Sequence, residues 1–150
     1  PFVHMEAPIY LKGRARRGPT FREALLMHAV ARLALHPYIT NIQTSWVKMG
    51  ADGAAAALKA GANDLGGTLM NETITRAAGA EHGQEMPPAA MECLIRDLGR
   101  TPRQRTTGYA DAPAERIKAA STAAPLQEVI NTPAGKYARD TDDKVMPAVE

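Results

Sequence analysis

The sequence predicts an α/β fold of parallel βαβ units, followed by a mostly irregular carboxyl-terminal tail. Strand-like and helical patterns alternate over residues 1–100, as parallel βαβ units require. Polar side chains crowd the carboxyl ends of two strand-like runs, NIQTSW and GANDLGGT, where α/β folds place ligand sites. Beyond residue 100 the composition turns to Arg, Thr, Ala and Pro, and periodicity fades. We therefore expect a partial (β/α) unit at 1–100 and a wrapping, loosely ordered segment at 101–150.

Length, net charge, cysteine count and the lengths of apolar runs limit the classes of function that this chain can have. A chain of 150 residues is long enough for a core of its own, and its net charge of +2 does not by itself indicate a nucleic-acid partner. The single cysteine, Cys93, excludes an internal disulfide and fits a reducing cytoplasm. No apolar run approaches the roughly 20 residues that span a bilayer, so we expect no membrane partner. Because a strand-like FVHM follows Pro1 directly, we expect a fragment that begins inside a fold.

The first elements are a strand at 2–5, a loop at 6–18 and a helix at 21–35. Thr20 and Glu23 form a T-x-x-E capping box, which satisfies orphan amides at a helix start. The apolar positions of this helix form the stripe by which an amphipathic helix packs on a core: Leu25, Leu26, Ala29, Val30 and Leu33. The helix should end at His36, since the residue before Pro37 avoids the α region.

The next elements are two further strands and their helices. Strand 39–45 leads to a helix that Asp52 caps and that runs through Ala60, with Gly61 at the C′ position. Strand 63–65 then ends in a Gly-Gly turn. The remaining helical patterns cover 69–78, 88–98 and a short stretch at 113–120. Three strands are too few to close a barrel, which needs about eight.

The strand NIQTSW alternates between two kinds of side chain. Gln43 and Ser45 share one side, and Ile42 and Trp46 the other. Ile42 and Trp46 suit a layer packed under helices, so Gln43 and Ser45 should face a site. The alternative is that the polar residues are only solvated positions of an edge strand, and Trp46 is better explained as core than as a ligand platform.

A second candidate site segment surrounds Gly66-Gly67. These glycines allow backbone amides to approach a ligand closely, and a helix start beyond them would favour an anionic group. Asp64 precedes them and Thr68 follows. Because many Gly-Gly turns bind nothing, the two flanking polar residues carry the prediction of a site.

The other chemistry-bearing residues give weaker indications. His4 and Glu6 share one face of the first strand and could bind a substrate or a metal, although two ligands do not make a metal site. The remaining histidines and Cys93 are explained best as structural or solvated residues, with Cys93 a small buried apolar residue. The basic run KGRARRGP at 12–19 could bind phosphate or RNA, but no aromatic side chain is interleaved within it.

Several stretches together resemble one family of radical S-adenosylmethionine enzymes. The resemblance covers roughly residues 1–109, with a fainter continuation in VINTPAGKYARD, and it rests on FVHMEAPIYLKGRARRGPTFRE, NIQTSWVKMG, GANDLGGTLMNETITRAAGA and TPRQRTT. The sequence is similar to the C-terminal region of the FO synthases, which make a deazaflavin chromophore, and specifically to their tyrosine-using half. Radical enzymes of the futalosine pathway to menaquinone share some of these patterns and are the nearest competitors.

The resemblance implies a fold, an activity and cofactors. The chain would be the C-terminal portion of a radical SAM (β/α) barrel, an incomplete TIM-type barrel. Complete enzymes of the family use a 4Fe–4S cluster and S-adenosylmethionine to transfer the hydroxybenzyl group of L-tyrosine to 5-amino-6-(D-ribitylamino)uracil. The CxxxCxxC motif of the cluster is absent here. We therefore expect no cofactor on this chain, an inactive fragment, and the rest of the same polypeptide as its partner.

Within that resemblance, the first candidates for contacts to substrate or to the SAM ribose are Gln43, Ser45, Asp64 and Thr68, followed by His4 and Glu6. Arg103 and Arg105 should pin the closing segment to the barrel. The alternatives are a futalosine-pathway enzyme and a basic RNA-binding module that uses residues 12–17 and 100–105.

Overall fold

The computed structural model describes residues 19–68, 83 and 85–124. Four helices lie within these ranges: α1 at Phe21–Leu35, α2 at Trp46–Lys59, α3 at Pro88–Asp97 and α4 at Ala114–Ser121. Each helix packs against the next one in the chain. None of these described helices is both long and apolar enough to cross a bilayer.

Some of the expected features lie outside the described residues. These are the strand at 2–5, the basic loop at 12–17, the helix at 69–78 and the candidate residues His4 and Glu6.

Helix α1 has the bounds that its sequence predicts. The Glu23 amide donates to Thr20 Oγ1 at 3.2 Å, and the Thr20 amide donates to Glu23 Oε2 at 2.7 Å, so the capping box is complete. At the other end His36 is extended, with ψ 136°, and is joined to Pro37 by a cis peptide bond. Sequence-local signals therefore determine both ends of this helix.

Only part of the apolar stripe predicted for α1 faces the core: Leu25 packs against it, whereas the rest of the stripe is largely exposed. The side that lies against the rest of the molecule carries Ala24, His28 and Arg32, and Ala24 is the buried residue of this helix. Leu26, Val30 and Leu33 are 45%, 58% and 82% exposed. The body-facing side also makes polar contacts: His28 Nδ1 lies 2.7 Å from the Ala24 carbonyl oxygen of the same helix, and Arg32 reaches across to other segments.

Helix α2 begins earlier than predicted. The Ser45 carbonyl accepts from the Lys48 and Met49 amides, so a first helical turn forms at Trp46 rather than at Asp52. Gly50, with φ 69° and ψ −179°, then breaks the helix before it continues to Lys59. These backbone angles are accessible essentially to glycine alone. Gly50, rather than the predicted cap Asp52, is therefore the non-helical residue before the main part of α2. Gly61, with φ 124°, has the positive φ expected of a C′ residue.

The two predicted strands 39–45 and 63–65 are reduced to one parallel bridge between Gln43 and Asp64. Its ladder consists of the Thr44 amide donating to the Asp64 carbonyl at 2.9 Å and the Asn63 amide donating to the Ile42 carbonyl at 3.0 Å. The neighbouring backbone groups form hydrogen bonds with side chains. The Ile42 amide donates to Asn63 Oδ1, and the Thr40 carbonyl accepts from both Asn63 Nδ2 and Arg32 Nη1. These contacts take the place of further ladder bonds.

The core lies between α2, α3 and the bridge. Its buried residues are Trp46, Val47, Ala54, Ala57, Leu58, Ala62, Leu65, Met86 and Met91. Helix α3 contributes Met91, with Leu94, Ile95 and Leu98 partly buried beside it. Cys93 lies on the other side of α3 and is exposed, with its Sγ 3.7 Å from Asp97 Oδ2, so the expectation of a buried cysteine was wrong.

Candidate functional site

The parallel bridge brings together the two polar segments that the sequence singles out. Gln43 pairs with Asp64, so both segments run in the same direction and end at the same edge. Ser45 lies two residues beyond Gln43 at the N-cap of α2, where its side chain makes no capping hydrogen bond. Thr68 lies four residues beyond Asp64 and is exposed. Gln43 and Asp64 are therefore neighbours, and Ser45 and Thr68 follow them along their two segments.

The alternation predicted for NIQTSW is present. Ile42, Thr44 and Trp46 are 8%, 1% and 3% exposed, whereas Gln43 is exposed. Thr44 Oγ1 donates to Met49 Sδ at 3.3 Å, which gives this buried hydroxyl a partner. Trp46 is a core residue, and its indole Nε1 donates to the Gly67 carbonyl at 3.0 Å. The indole thereby ties the first turn of α2 to the glycine turn.

Asp64 is the most constrained polar residue at this edge, with a side chain that is 6% exposed. Its Oδ1 accepts from the Gly66 amide at 2.7 Å, which fixes the turn that follows. Its Oδ2 accepts from Arg105 Nε at 2.7 Å and Nη2 at 2.6 Å. Because both carboxylate oxygens have protein partners, this buried charge is compensated within the chain.

Arg105 connects this edge to the segment that follows α3. Its side chain is 26% exposed, and its guanidinium carbon lies 4.3 Å from the centre of the Tyr109 ring. The segment turns back on itself through an antiparallel bridge between Arg105 and Asp111. Tyr109 occupies the turn with φ 65°. The ion pair with Asp64 and the stack on Tyr109 together hold this hairpin against the strand ends.

The glycine turn lies directly against Gln43. Gly66 has φ 78°, and a Cβ placed on it would lie 2.8 Å from Gln43 Nε2. By contrast, a Cβ on Gly67 would meet no atom within 4 Å. Gly66 therefore serves the close approach of Gln43, whereas Gly67 leaves open space in front of the turn.

A cleft of about 740 Å³ lies between the glycine turn, α3 and the hairpin. Its polar wall includes Asn41, Asp64, Thr68, Gln104, Arg105, Thr107 and Tyr109. The apolar part of its wall includes Leu58, Leu65, Met91 and Ile95. The mixed lining of this open cleft combines apolar contact area with a few directed polar groups.

The expectation that Arg103 and Arg105 pin the closing segment holds for one of them. Arg105 reaches Asp64, but Arg103 pairs with Asp111 inside its own hairpin, where the two side chains are 64% and 79% exposed. Arg100 is a further link, since its Nη1 donates to the Ala62 carbonyl at 3.1 Å.

Arg32 was missed by the sequence reasoning. Its Nε donates to the Gly61 carbonyl, its Nη1 to the Thr40 carbonyl and its Nη2 to Asn63 Oδ1, each at 2.8 Å. This one side chain joins the end of α1 to both segments of the parallel bridge. An arginine in the last turn of a helix is ordinarily explained by the helix dipole, so no sequence pattern indicates these distant acceptors.

The described residues include no group of three or more His, Cys, Asp or Glu side chains placed to hold a metal ion. A 4Fe–4S cluster takes three or four Cys thiolates, and the whole sequence has one cysteine. The residues of this chain therefore do not fit such a cluster.

Comparison with known proteins gives the family. Residues 1–117 match the family described as CofH/MqnC C-terminal region. The chain belongs to this family. The resemblance to the tyrosine-using half of the FO synthases is thus confirmed. A (β/α) barrel is not confirmed, because the described residues form helices and isolated β-bridges rather than strands.

Several curated relatives are similar over most of the chain. The FO synthase of Streptomyces avermitilis is 52% identical over 121 residues, which is 81% of this chain and 14% of that protein. The FO synthase of Mycobacterium leprae is 54% identical over 110 residues, 73% of this chain and 13% of the relative. The 5-amino-6-(D-ribitylamino)uracil–L-tyrosine 4-hydroxyphenyl transferase of Methanopyrus kandleri is 55% identical over 108 residues, 72% of this chain and 29% of the relative. The chain thus spans less than a third of each of these relatives, and no solved structure matches it.

Proposed function

We propose that this chain is part of a radical SAM enzyme of deazaflavin biosynthesis, which works in the cytoplasm. In the complete enzyme, the hydroxybenzyl group of L-tyrosine is transferred to 5-amino-6-(D-ribitylamino)uracil. The observation that carries the proposal is the match of residues 1–117 to the family, together with relatives 52–55% identical that are named for this chemistry. Those names favour this function over a futalosine-pathway enzyme.

The chain's own contribution is one wall of a substrate site. We assign residues 1–100 to the last part of an incomplete (β/α) barrel, with 101–150 wrapping over it. The parallel bridge supports this assignment, since it aligns the ends of two segments beside the 740 Å³ cleft. The carboxyl ends of parallel strands are where such folds bind substrates.

Thr68 lines this cleft and is the first proposed contact to substrate or to the SAM ribose. Gln43 and Ser45 lie outside the cleft lining and are proposed as further contacts. All three are polar residues, and Gln43 and Thr68 are exposed. Asp64 has both carboxylate oxygens engaged, which favours a role in holding the turn and Arg105 in place over direct contact. His4 and Glu6 are proposed to line the mouth of the neighbouring strand.

The cofactors belong to the rest of the complete enzyme in this proposal. A 4Fe–4S cluster with SAM supplies a deoxyadenosyl radical in this class of enzyme, and the protein orients the substrates around it. Because this chain has one cysteine, we assign no cluster ligand to it.

A chimera tests the proposal. The 121 matching residues of the Streptomyces avermitilis FO synthase would be replaced by those of this chain, and tyrosine-dependent formation of deazaflavin would be followed by its fluorescence. We expect product from the chimera, and much less product from its Gln43→Ala and Thr68→Ala variants. Arg96→Ala is the matched control, because Arg96 is exposed on α3 and pairs with Glu92 of the same helix. A folded, cluster-loaded chimera without product would contradict the proposed function, and unchanged activity of Gln43→Ala and Thr68→Ala would remove these residues from the site.

A further inference from the structure

Helix α1 presents an apolar stripe away from the part of the molecule on which it lies. The stripe consists of Leu26, Met27, Val30 and Leu33, which are 45%, 69%, 58% and 82% exposed. The helical period of 3.6 residues places these four on one side and Ala24, His28 and Arg32 on the other. An amphipathic helix normally turns its apolar residues to the core, as Leu25 does here, so four further large apolar side chains on the exposed side are unusual.

The body-facing side is fixed firmly enough to exclude rotation of the helix as an explanation. Arg32 makes its three hydrogen bonds from this side, and a Cβ on Gly61 would lie 2.8 Å from Arg32 Cβ. Turning the stripe inward would break these bonds and place Arg32 in solvent. Two further apolar side chains after the helix, Tyr38 and Ile39, are 91% and 48% exposed.

The size of the stripe discriminates between possible occupants. A helix of 15 residues is about 22 Å long and offers four large apolar side chains, whereas a stable interface between separate chains uses roughly 20–30 residues a side. A tethered segment needs far less contact, because covalent connection supplies a high effective concentration. The Methanopyrus kandleri relative has such a segment available, since this chain matches 29% of its length.

We propose that the apolar stripe of α1 is the docking surface for the additional polypeptide that the longer relatives carry, joined to this region in one continuous chain. This proposal rests on the proposed function, since it takes the chain as part of such an enzyme. In the assembled enzyme the stripe is buried, and α1 is held between two bodies. Its polar side packs on the bridge, and its apolar side packs on the added segment.

Met27 reports directly on this burial. Oxidation of a thioether by hydrogen peroxide depends on its exposure, and Met86 and Met91, each 8% exposed, provide slow internal references. In the 150-residue chain Met27 should oxidise much faster than either reference, as measured by peptide mass spectrometry. In the chimera with the Streptomyces avermitilis enzyme its rate should fall to that of the two buried references, Met86 and Met91.

A pair of variants provides a second measurement. Leu33→Gln should leave the unfolding midpoint of the 150-residue chain unchanged, because Leu33 is 82% exposed there and the variant adds no charge to the helix end, but it should lower the melting temperature of the chimera. Arg22→Gln is the matched control on an exposed polar position of α1, and it should change neither.

The outcomes separate the docking proposal from the proposed function. Fast Met27 oxidation in a chimera that makes product would overturn the docking surface and leave the function standing. A protected Met27 in a chimera without product would support the docking surface and count against the function. Protection that appears in the 150-residue chain only at high concentration would assign the stripe to a second copy. Protection there at every concentration would assign it to this chain's own residues, and either result would overturn the proposal.

Discussion

The ion pair between Asp64 and Arg105 is the contact on which the candidate site depends most. Replacing Arg105 by Met removes both donors to Asp64 Oδ2 and leaves a carboxylate whose side chain is 6% exposed. Breaking a buried pair costs about 3–5 kcal/mol, and we discount this to about 2–3 kcal/mol because water reaches part of the Arg105 side. Asp64→Asn should cost about 1–2 kcal/mol, since an amide oxygen can still accept from the Gly66 amide.

A double-mutant cycle isolates the pair from its surroundings. Arg105→Met also loses the stack on Tyr109, but that loss occurs in both the single and the double variant and cancels. We expect a coupling energy of about 1–2 kcal/mol between Asp64→Asn and Arg105→Met. The free energy of unfolding would be measured by urea titration, with the fluorescence of Trp46, the single tryptophan, as the signal.

The exposed pair of the same hairpin is the control. Arg103 and Asp111 are 64% and 79% exposed, so Arg103→Met should cost no more than about 0.5 kcal/mol. If the Asp64 and Arg105 substitutions add to within about 0.3–0.5 kcal/mol, the two residues are uncoupled and the hairpin is held by other contacts.

Substitutions at Arg32, at the two glycines of the turn and at Thr20 test the framework around the site, each by the same urea titration. Arg32→Met should lose about 2–3 kcal/mol with its three hydrogen bonds, and Arg32→Lys, which keeps a charge but not the forked geometry, should recover little of it. Gly66→Ala should cost about 1–2 kcal/mol because of its φ of 78° and the approach of Gln43, whereas Gly67→Ala meets no atom within 4 Å and should be near neutral. Equal costs at the two glycines would contradict this explanation. Thr20→Ala should cost about 1 kcal/mol with the capping box, and Thr20→Ser should restore it; an unchanged Ala variant would show that the cap is dispensable.

Features encoded by neighbouring residues could be predicted from the sequence. The bounds of α1 follow from Thr20, Glu23 and Pro37, and α3 was expected within a residue of its observed end at Asp97. The alternation of buried and exposed residues through NIQTSW was also predicted. In each case the deciding contacts lie within a few residues along the chain.

Features that depend on distant partners could not be predicted. The strands shrank to one bridge because Asn63 and Arg32 bond the backbone of residues 40–42, and no local pattern shows that these side chains reach it. Arg103 and Arg105 look alike in the sequence, yet only Arg105 pairs with Asp64, which lies 41 residues away, whereas Arg103 pairs with Asp111. The stripe on α1 has the period of a buried face, and periodicity does not say which body will bury it.

Alanines make up three of the nine buried core residues in the described part of the chain: Ala54 and Ala57 are fully buried, and Ala62 is 1% exposed. Methyl groups contribute little apolar area each, so unfolding this region hydrates less hydrocarbon than unfolding a core of leucines and phenylalanines. The heat capacity increment should be correspondingly small, and the curve of stability against temperature flat. Such a region resists cold better than its modest hydrophobic content suggests, while its maximum stability stays low.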